Sequence, residues 1–98
     1  MNVTKNEGQT TIALEGDFTS DLLNDFRSAV QQEIQDGNIS LTIDFTGTVI
    51  IDSMGIGCLV ATHNTLKQKA GTMQLSNVPE NLKDVFKVMR LDRIFPIN

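Results

Sequence analysis

Apolar residues alternate with polar ones in two segments, one near the start of the chain and one near its middle, and this alternation predicts β-strands. The clearest case is residues 39–45, where every second position is apolar: Ile39, Leu41, Ile43 and Phe45. Residues 10–15 follow the same pattern, and residues 3–5 can pair beside them as the second arm of a hairpin that turns at Glu7-Gly8. We therefore expect the chain to begin with a hairpin and to carry a strand near its middle.

Three other segments carry apolar residues three and four positions apart, which predicts helices. They begin at Thr19 or Ser20, at Asp52-Ser53 and at Asn77-Val78-Pro79, and the first two end at Gly37 and at Ala70-Gly71. The apolar run 49–51 is expected to be a buried strand that leads into the second helix. Residues 72–75 are expected to form a further strand, and residues 94–97 an edge strand or a packed tail. The order β-β-α-β-α-β-α predicts an α/β domain with parallel strand pairs and covering helices.

The composition is that of a small water-soluble globule. The chain has 98 residues, 40% of them hydrophobic and 20% charged, which fits one domain over residues 1–98. The single cysteine, Cys58, excludes an internal disulfide and a cysteine-based zinc cluster. The N-terminus is polar and lacks a secretory pattern, and no apolar stretch approaches the ~20 residues of a membrane helix. We therefore expect a cytoplasmic protein.

The charges are divided unevenly along the chain. The formal net charge is −4 and the pI is about 4.7, so nucleic acid and anionic membranes are not expected as partners. Residues 1–52 carry a net charge of −7, whereas residues 53–98 carry +3. Either these are solvated faces that attract each other within one fold, or the acidic half offers a docking face to a partner protein.

The segment Asp52-Ser53 at the start of the second predicted helix is the main candidate for chemistry. Either side chain can accept a hydrogen bond from the first turn, and the helix dipole makes this end partly positive. A phosphate on Ser53 is tolerated at such a position, although a serine there can also be a cap and nothing more. Gly55 and Gly57 each cost about 1 kcal/mol in a helix relative to alanine. Either close packing within the chain or the close approach of a partner's backbone explains them.

The residues around this helix start resemble those of a known family. Residues 52–57, Asp-Ser-Met-Gly-Ile-Gly, resemble the Asp-Ser-(Ser/Thr)-Gly-(Leu/Ile)-Gly signature of STAS domains of the bacterial anti-sigma-factor antagonist type. Residues 14–17, 71–75 and 79–91 resemble the end of the family's first strand, its later glycine and strand, and its last helix. The resemblance therefore covers nearly the whole chain and implies one STAS domain with a mixed sheet of four to five strands.

This resemblance implies a switch protein without enzymatic activity. In the family, an anti-sigma factor that is also a serine kinase, with a histidine-kinase-like ATPase fold, phosphorylates the serine that follows the aspartate, here Ser53. A PP2C-type phosphatase removes the phosphate, and the unphosphorylated antagonist binds the anti-sigma factor and frees its client. The resemblance implies no cofactor and no metal. The residues expected to contact the partner are Asp17, Asp52, Ser53, Met54, Gly55, Ile56 and Gly57.

The chain departs from the family signature at Met54, which stands where a second hydroxyl is common. This removes a second phosphate acceptor and places a flexible apolar side chain either on the docking surface or in a gap of the core. If Met54 lies on the docking surface, the chain is expected to select a different partner.

Other functions lack the residues they need. His63, the only histidine, lies about 15 Å from Ser53 along one helix, so it cannot activate that hydroxyl. Asp44 and Asp52 are in principle Mg²⁺ ligands, but two carboxylates at a strand end are typical of solvated or capping groups. Two alternatives to the switch stay open. One is a STAS subunit of a larger assembly, such as a stressosome or a lipid-transporter complex, and the other is a sensor that binds an anion or nucleotide at the start of the second helix.

Overall fold

Four strands and three helices make up the computed structural model, which describes residues 1–98. The strands are β1 (Asn2–Asn6), β2 (Gln9–Ala13), β3 (Ser40–Asp44) and β4 (Thr72–Ser76). The helices are α1 (Ser20–Gln35), α2 (Ser53–Gln68) and α3 (Glu80–Val88), and a short 3₁₀ turn follows at Leu91–Arg93. The order confirms the alternation of strands and helices that the apolar spacing predicts.

The strands form one mixed sheet in the order β1-β2-β3-β4. β1 and β2 are antiparallel, while β2, β3 and β4 run parallel to one another. Glu7 and Gly8 both have positive φ angles, which suits a two-residue hairpin turn between β1 and β2. Because three strands are parallel, their carboxyl ends lie at one edge of the sheet, and the loops that precede α1 and α2 leave from that edge.

The core lies between the sheet and the helices. Alternate residues of the central strands are fully buried, among them Ile12 and Ile43, which are register partners on β2 and β3. Three edge-to-face aromatic contacts cross the core: Phe18 meets Phe26 with ring centroids 4.9 Å apart and Phe45 at 6.5 Å, and Phe45 meets Phe86 at 6.0 Å. Phe18 therefore anchors the loop before α1 to the core.

The expectation of a buried strand at residues 49–51 is wrong. Val49 and Ile50 are exposed, Ile51 is half-buried, and the only β-type pairing of the segment is one isolated parallel bridge between Ile51 and Phe18. The segment lies beyond the end of β3, at the edge of the sheet, so no second layer covers its first two side chains.

The C-terminal segment is a packed tail. Ile97 forms a single parallel bridge with Leu75, and Leu75 exchanges backbone hydrogen bonds of 2.9 Å with Pro96 and Asn98. The sheet therefore has four strands. None of the helices is both long and apolar enough to cross a membrane.

Candidate functional site

Hydrogen bonds join the segments that precede α1 and α2 at the edge of the sheet where the parallel strands have their carboxyl ends. The Phe18 amide donates to the Ile50 carbonyl at 2.9 Å, and the Asp52 amide donates to the Phe18 carbonyl at 3.4 Å. The Thr48 hydroxyl donates to the Gly16 carbonyl at 2.5 Å. These bonds fix the position of the α2 start relative to the α1 start.

Asp17 supports this junction through its side chain. Its Oδ1 atom accepts hydrogen bonds from the amides of Val49 (3.4 Å) and Ile50 (3.3 Å). Asp17 is otherwise an exposed residue. Asp17 thus holds the loop before Ser53 in shape through these two hydrogen bonds.

Asp52 is the cap of α2. Its backbone is extended (φ −104°, ψ 178°), and its Oδ1 atom accepts a hydrogen bond of 2.9 Å from the Gly55 amide. The sequence leaves the cap open between Asp52 and Ser53, and the structure assigns it to Asp52. Ser53, the first residue of α2, is exposed, and its hydroxyl makes no hydrogen bond within the chain.

The two glycines near the start of α2 have different surroundings. A Cβ atom at Gly55 would lie 2.5 Å from the Phe18 carbonyl oxygen and 2.9 Å from Cγ1 of Ile51, and Gly55 is buried. A Cβ atom at Gly57 would meet nothing within 4 Å, and Gly57 is exposed. Close packing within the chain therefore explains Gly55 but does not explain Gly57.

Three large apolar side chains within four residues of Ser53 along the chain are exposed, and we call them the apolar collar: Val49, Ile50 and Met54. Their exposed fractions are 57%, 53% and 55%. Of the two sequence interpretations of Met54, the exposure excludes a core gap-filler. Ile56, by contrast, is half-buried and packs against the core. Sequence reasoning missed Val49 and Ile50 because a run of apolar residues ordinarily indicates burial.

Asn81 also reaches the site, and no sequence signal points to it. Its Nδ2 atom donates to the Val49 carbonyl at 3.2 Å, which ties the first turn of α3 to the collar.

Asp44 lies at the end of β3 and has its own hydrogen-bond donors. Partial burial raises the pKa of its carboxyl, but hydrogen bonds from the Asn77 side chain and from the Thr46 amide and hydroxyl outweigh this, so the pKa is lowered overall. Asp52 is engaged as a cap, and no three His, Cys, Asp or Glu side chains are grouped closely enough to hold a metal ion. The carboxylates of this edge thus have structural partners within the chain.

Neither of the two cavities in the structure lies at the start of α2. One, of about 450 Å³, is lined by residues at the opposite edge of the sheet, including Ser40, Thr72 and His63. The other, of about 480 Å³, lies between α1 and α2 and includes Val30 and Cys58. Ser53 therefore lines neither of these cavities.

Comparison with known proteins identifies the family. A family model described as "Mlab, STAS domain" matches residues 1–96. None of the curated proteins matches the chain in sequence.

Several solved structures share the fold at low sequence identity. A putative anti-sigma factor antagonist from Thermotoga maritima has a TM-score of 0.91 at 18% identity, over 98% of this chain and 83% of that one. An anti-sigma factor antagonist from Mycobacterium paratuberculosis has a TM-score of 0.82 at 20% identity, over 98% and 81%. The Bacillus cell fate determinant SpoIIAA in its phosphorylated form has a TM-score of 0.77 at 19% identity, over 99% and 89%. The match of the family model along nearly the full length, on this fold, shows that the chain belongs to the STAS domain family.

Proposed function

We propose that this chain is a phosphorylation-controlled protein-binding module of the anti-sigma-factor antagonist kind, with Ser53 as the phosphate acceptor and no catalytic activity of its own. One observation carries the proposal: Ser53 is exposed at the first residue of α2, and its hydroxyl has no partner within the chain. The names of the similar structures, which include SpoIIAA in unphosphorylated and phosphorylated forms, support it.

Asp52 caps the helix and Ser53 is free to be modified, and this separation of roles suits a switch. Asp52 caps α2 through the Gly55 amide, so modification of Ser53 leaves the capping bond in place. The helix then persists in both states, and the change at Ser53 is one of charge and size. A phosphate there lies at the partly positive end of the helix, where it is tolerated in the free protein.

The chemistry is supplied by two partner enzymes. In the forward step, the Ser53 Oγ atom attacks the γ-phosphorus of ATP held by an anti-sigma factor with serine kinase activity. The new Oγ–P bond forms as the bond to the leaving ADP oxygen breaks, and a base of the kinase takes the hydroxyl proton. In the reset step, a PP2C-type phosphatase uses water to break the phosphate ester, which restores the hydroxyl and releases inorganic phosphate.

Phosphorylation opposes docking through electrostatics and desolvation. The phosphate adds about −1.5 to −2 charges at neutral pH, next to Asp52 in the chain. It also lies within four residues of the three apolar side chains of the collar, which a docked partner would cover. A penalty of roughly 3 kcal/mol weakens binding about a hundredfold, which is enough to exchange partners.

The neighbouring residues have distinct parts in this proposal. Gly57 is open, so a partner's backbone can approach α2 there, and Met54 contributes apolar contact area. Asp17 keeps the preceding loop in position, while Gly55 and Ile56 act from inside by seating the helix start on the core.

Titration calorimetry tests the proposal with the purified host anti-sigma factor that phosphorylates this chain. We expect Ser53→Ala to bind with the affinity of the unmodified chain and to accept no phosphate at this position. The enzymatically phosphorylated chain should bind about a hundredfold more weakly, and Ser53→Asp at least tenfold more weakly. Ser20→Asp is the matched control, because Ser20 is the exposed first residue of α1. Equal affinities for Ser53→Asp and Ser53→Ala would refute the charge mechanism.

A second candidate function is a STAS subunit that docks constitutively on a larger assembly. The exposed apolar collar favours it, since such side chains serve a permanent interface as well as a switched one. A phosphate-affinity gel of the chain recovered from its host separates the two functions, because only the switch gives a slower band that Ser53→Ala abolishes.

A further inference from the structure

Exposed large apolar side chains are concentrated in two places on the surface. Nine such side chains are exposed, and three of them form the collar. Two more, Val85 and Val88, lie on one side of α3, and we call them the α3 flank. Single exposed apolar residues are ordinary, whereas a connected group indicates an interaction surface.

The α3 flank is connected to the collar through Asn81. Asn81 donates to the Val49 carbonyl at 3.2 Å, and Val85 and Val88 follow it at intervals of four and three residues. These three side chains therefore lie along one side of the helix. The row extends roughly 10 Å from Asn81, at about 1.5 Å per residue.

The flank is separate from the part of α3 that the fold uses. Leu82 and Phe86 form the buried face of α3, and Phe86 contacts Phe45 in the core. Val88 is 84% exposed, the highest value among the large apolar side chains of the chain. Packing within the domain therefore does not account for the flank.

The residues expected to contact a partner around Ser53 are fewer than a typical stable interface uses. A specific interface buries about 800 Å² on each partner and involves roughly 20 to 30 residues a side. The docking residues suggested by the sequence number seven, and one of them, Gly55, is buried. A partner that covers Ser53 must therefore also cover neighbouring surface, and the α3 flank supplies exposed apolar side chains on the helix that Asn81 joins to the collar segment.

We propose that the α3 flank is the second half of the docking surface, and that it binds an apolar face of the same protein that phosphorylates Ser53. This inference rests on the proposed function. Because the flank extends away from Ser53, its contacts are the same whether or not Ser53 carries a phosphate. It strengthens both forms of the complex by a similar factor, while Ser53 alone sets the ratio between them.

The test uses the variant Val85→Ser/Val88→Ser and the host anti-sigma factor that transfers phosphate to Ser53. Serine and valine have similar helix propensities, and both side chains are exposed, so the fold should be unaffected. The control is Val3→Ser, which removes an exposed valine from β1, the strand at the other side of the sheet. Binding of the unphosphorylated and phosphorylated chains is measured by titration calorimetry.

We expect the flank variant to bind at least tenfold more weakly in both forms, with the ratio between the forms unchanged and Val3→Ser like the unmodified chain. If the flank variant keeps full affinity while Ser53 is still phosphorylated, the α3 flank is not part of the interface and the switch alone survives. A loss of the same size in Val3→Ser would also overturn the proposal. If no host kinase phosphorylates Ser53, the proposed function and this inference both fail.

Discussion

Replacing Gly55 or Gly57, the two glycines near the start of α2, by alanine should change stability in opposite directions. At Gly55 the new methyl group meets the Phe18 carbonyl oxygen at 2.5 Å and Cγ1 of Ile51 at 2.9 Å. The Phe18 carbonyl also accepts the Asp52 amide, so it cannot move without disturbing the junction between the two loops. At Gly57 the methyl group enters open space.

The magnitudes follow from overpacking and from helix propensity. Inserting a methyl group into a packed site costs about 1–3 kcal/mol, and the gain from removing a first-turn glycine offsets only part of it. Gly55→Ala should therefore lower the free energy of unfolding by about 1–2 kcal/mol. Gly57→Ala meets no steric cost, so it should raise the free energy of unfolding by about 0.4–1 kcal/mol.

Urea denaturation of both variants measures these changes, and thermal unfolding checks them. For a domain of this size, a change of 1 kcal/mol moves Tm by about 4–8 °C. Gly57→Ala should at the same time weaken binding to the partner that phosphorylates Ser53, because the methyl group stands on the proposed interface. A fully stable Gly55→Ala variant, or a destabilised Gly57→Ala variant, would refute the assignment of Gly55 to internal packing and Gly57 to the surface.

Two further predictions concern the polar groups at this edge of the sheet. Asp52→Ala removes the cap on the Gly55 amide and should lower the free energy of unfolding by about 1 kcal/mol. Asp52→Asn keeps a capping oxygen and should retain most of that stability. Equal losses of the two variants in urea denaturation would contradict the capping role. Asn77→Gly keeps the positive φ angle but removes the hydrogen bond to Asp44, which helps to lower the pKa of that carboxyl. Because the pKa of Asp44 is lower in the folded chain than its unfolded value of 3.8, the ionised carboxylate stabilises the fold at pH values above 3.8. This stabilisation is lost as the pH falls through the folded pKa. Asn77→Gly should therefore lower the free energy of unfolding more at pH 7 than at pH 3. A cost that does not change with pH would contradict this role of Asn77.

The fold was predictable because its signals are local. The alternation in residues 39–45 and the helical spacing after Ser20 and Ser53 are properties of short segments, and each element is found where its pattern lies. The Asp52-Ser53 step was readable for the same reason, since capping depends on residues within one turn.

What could not be predicted depends on contacts between distant segments. The apolar run 49–51 has the composition of a buried strand, and only the three-dimensional arrangement shows that two of its side chains face solvent. Gly55 and Gly57 are equivalent in the sequence, and they differ because the Phe18 carbonyl, far away in the chain, lies against one of them. The link from Asn81 to Val49 likewise spans residues whose spacing carries no signal.

The proposed function depends on transfer of a phosphate to the exposed Ser53 hydroxyl. The most direct measurement is mass spectrometry of the intact chain recovered from its host, followed by mapping of the modified peptide. We expect a population with one phosphate at Ser53, which disappears in Ser53→Ala and persists in Ser20→Ala. A chain that carries no phosphate under any growth condition, or that carries it at another residue, would rule out Ser53 as the phosphate acceptor.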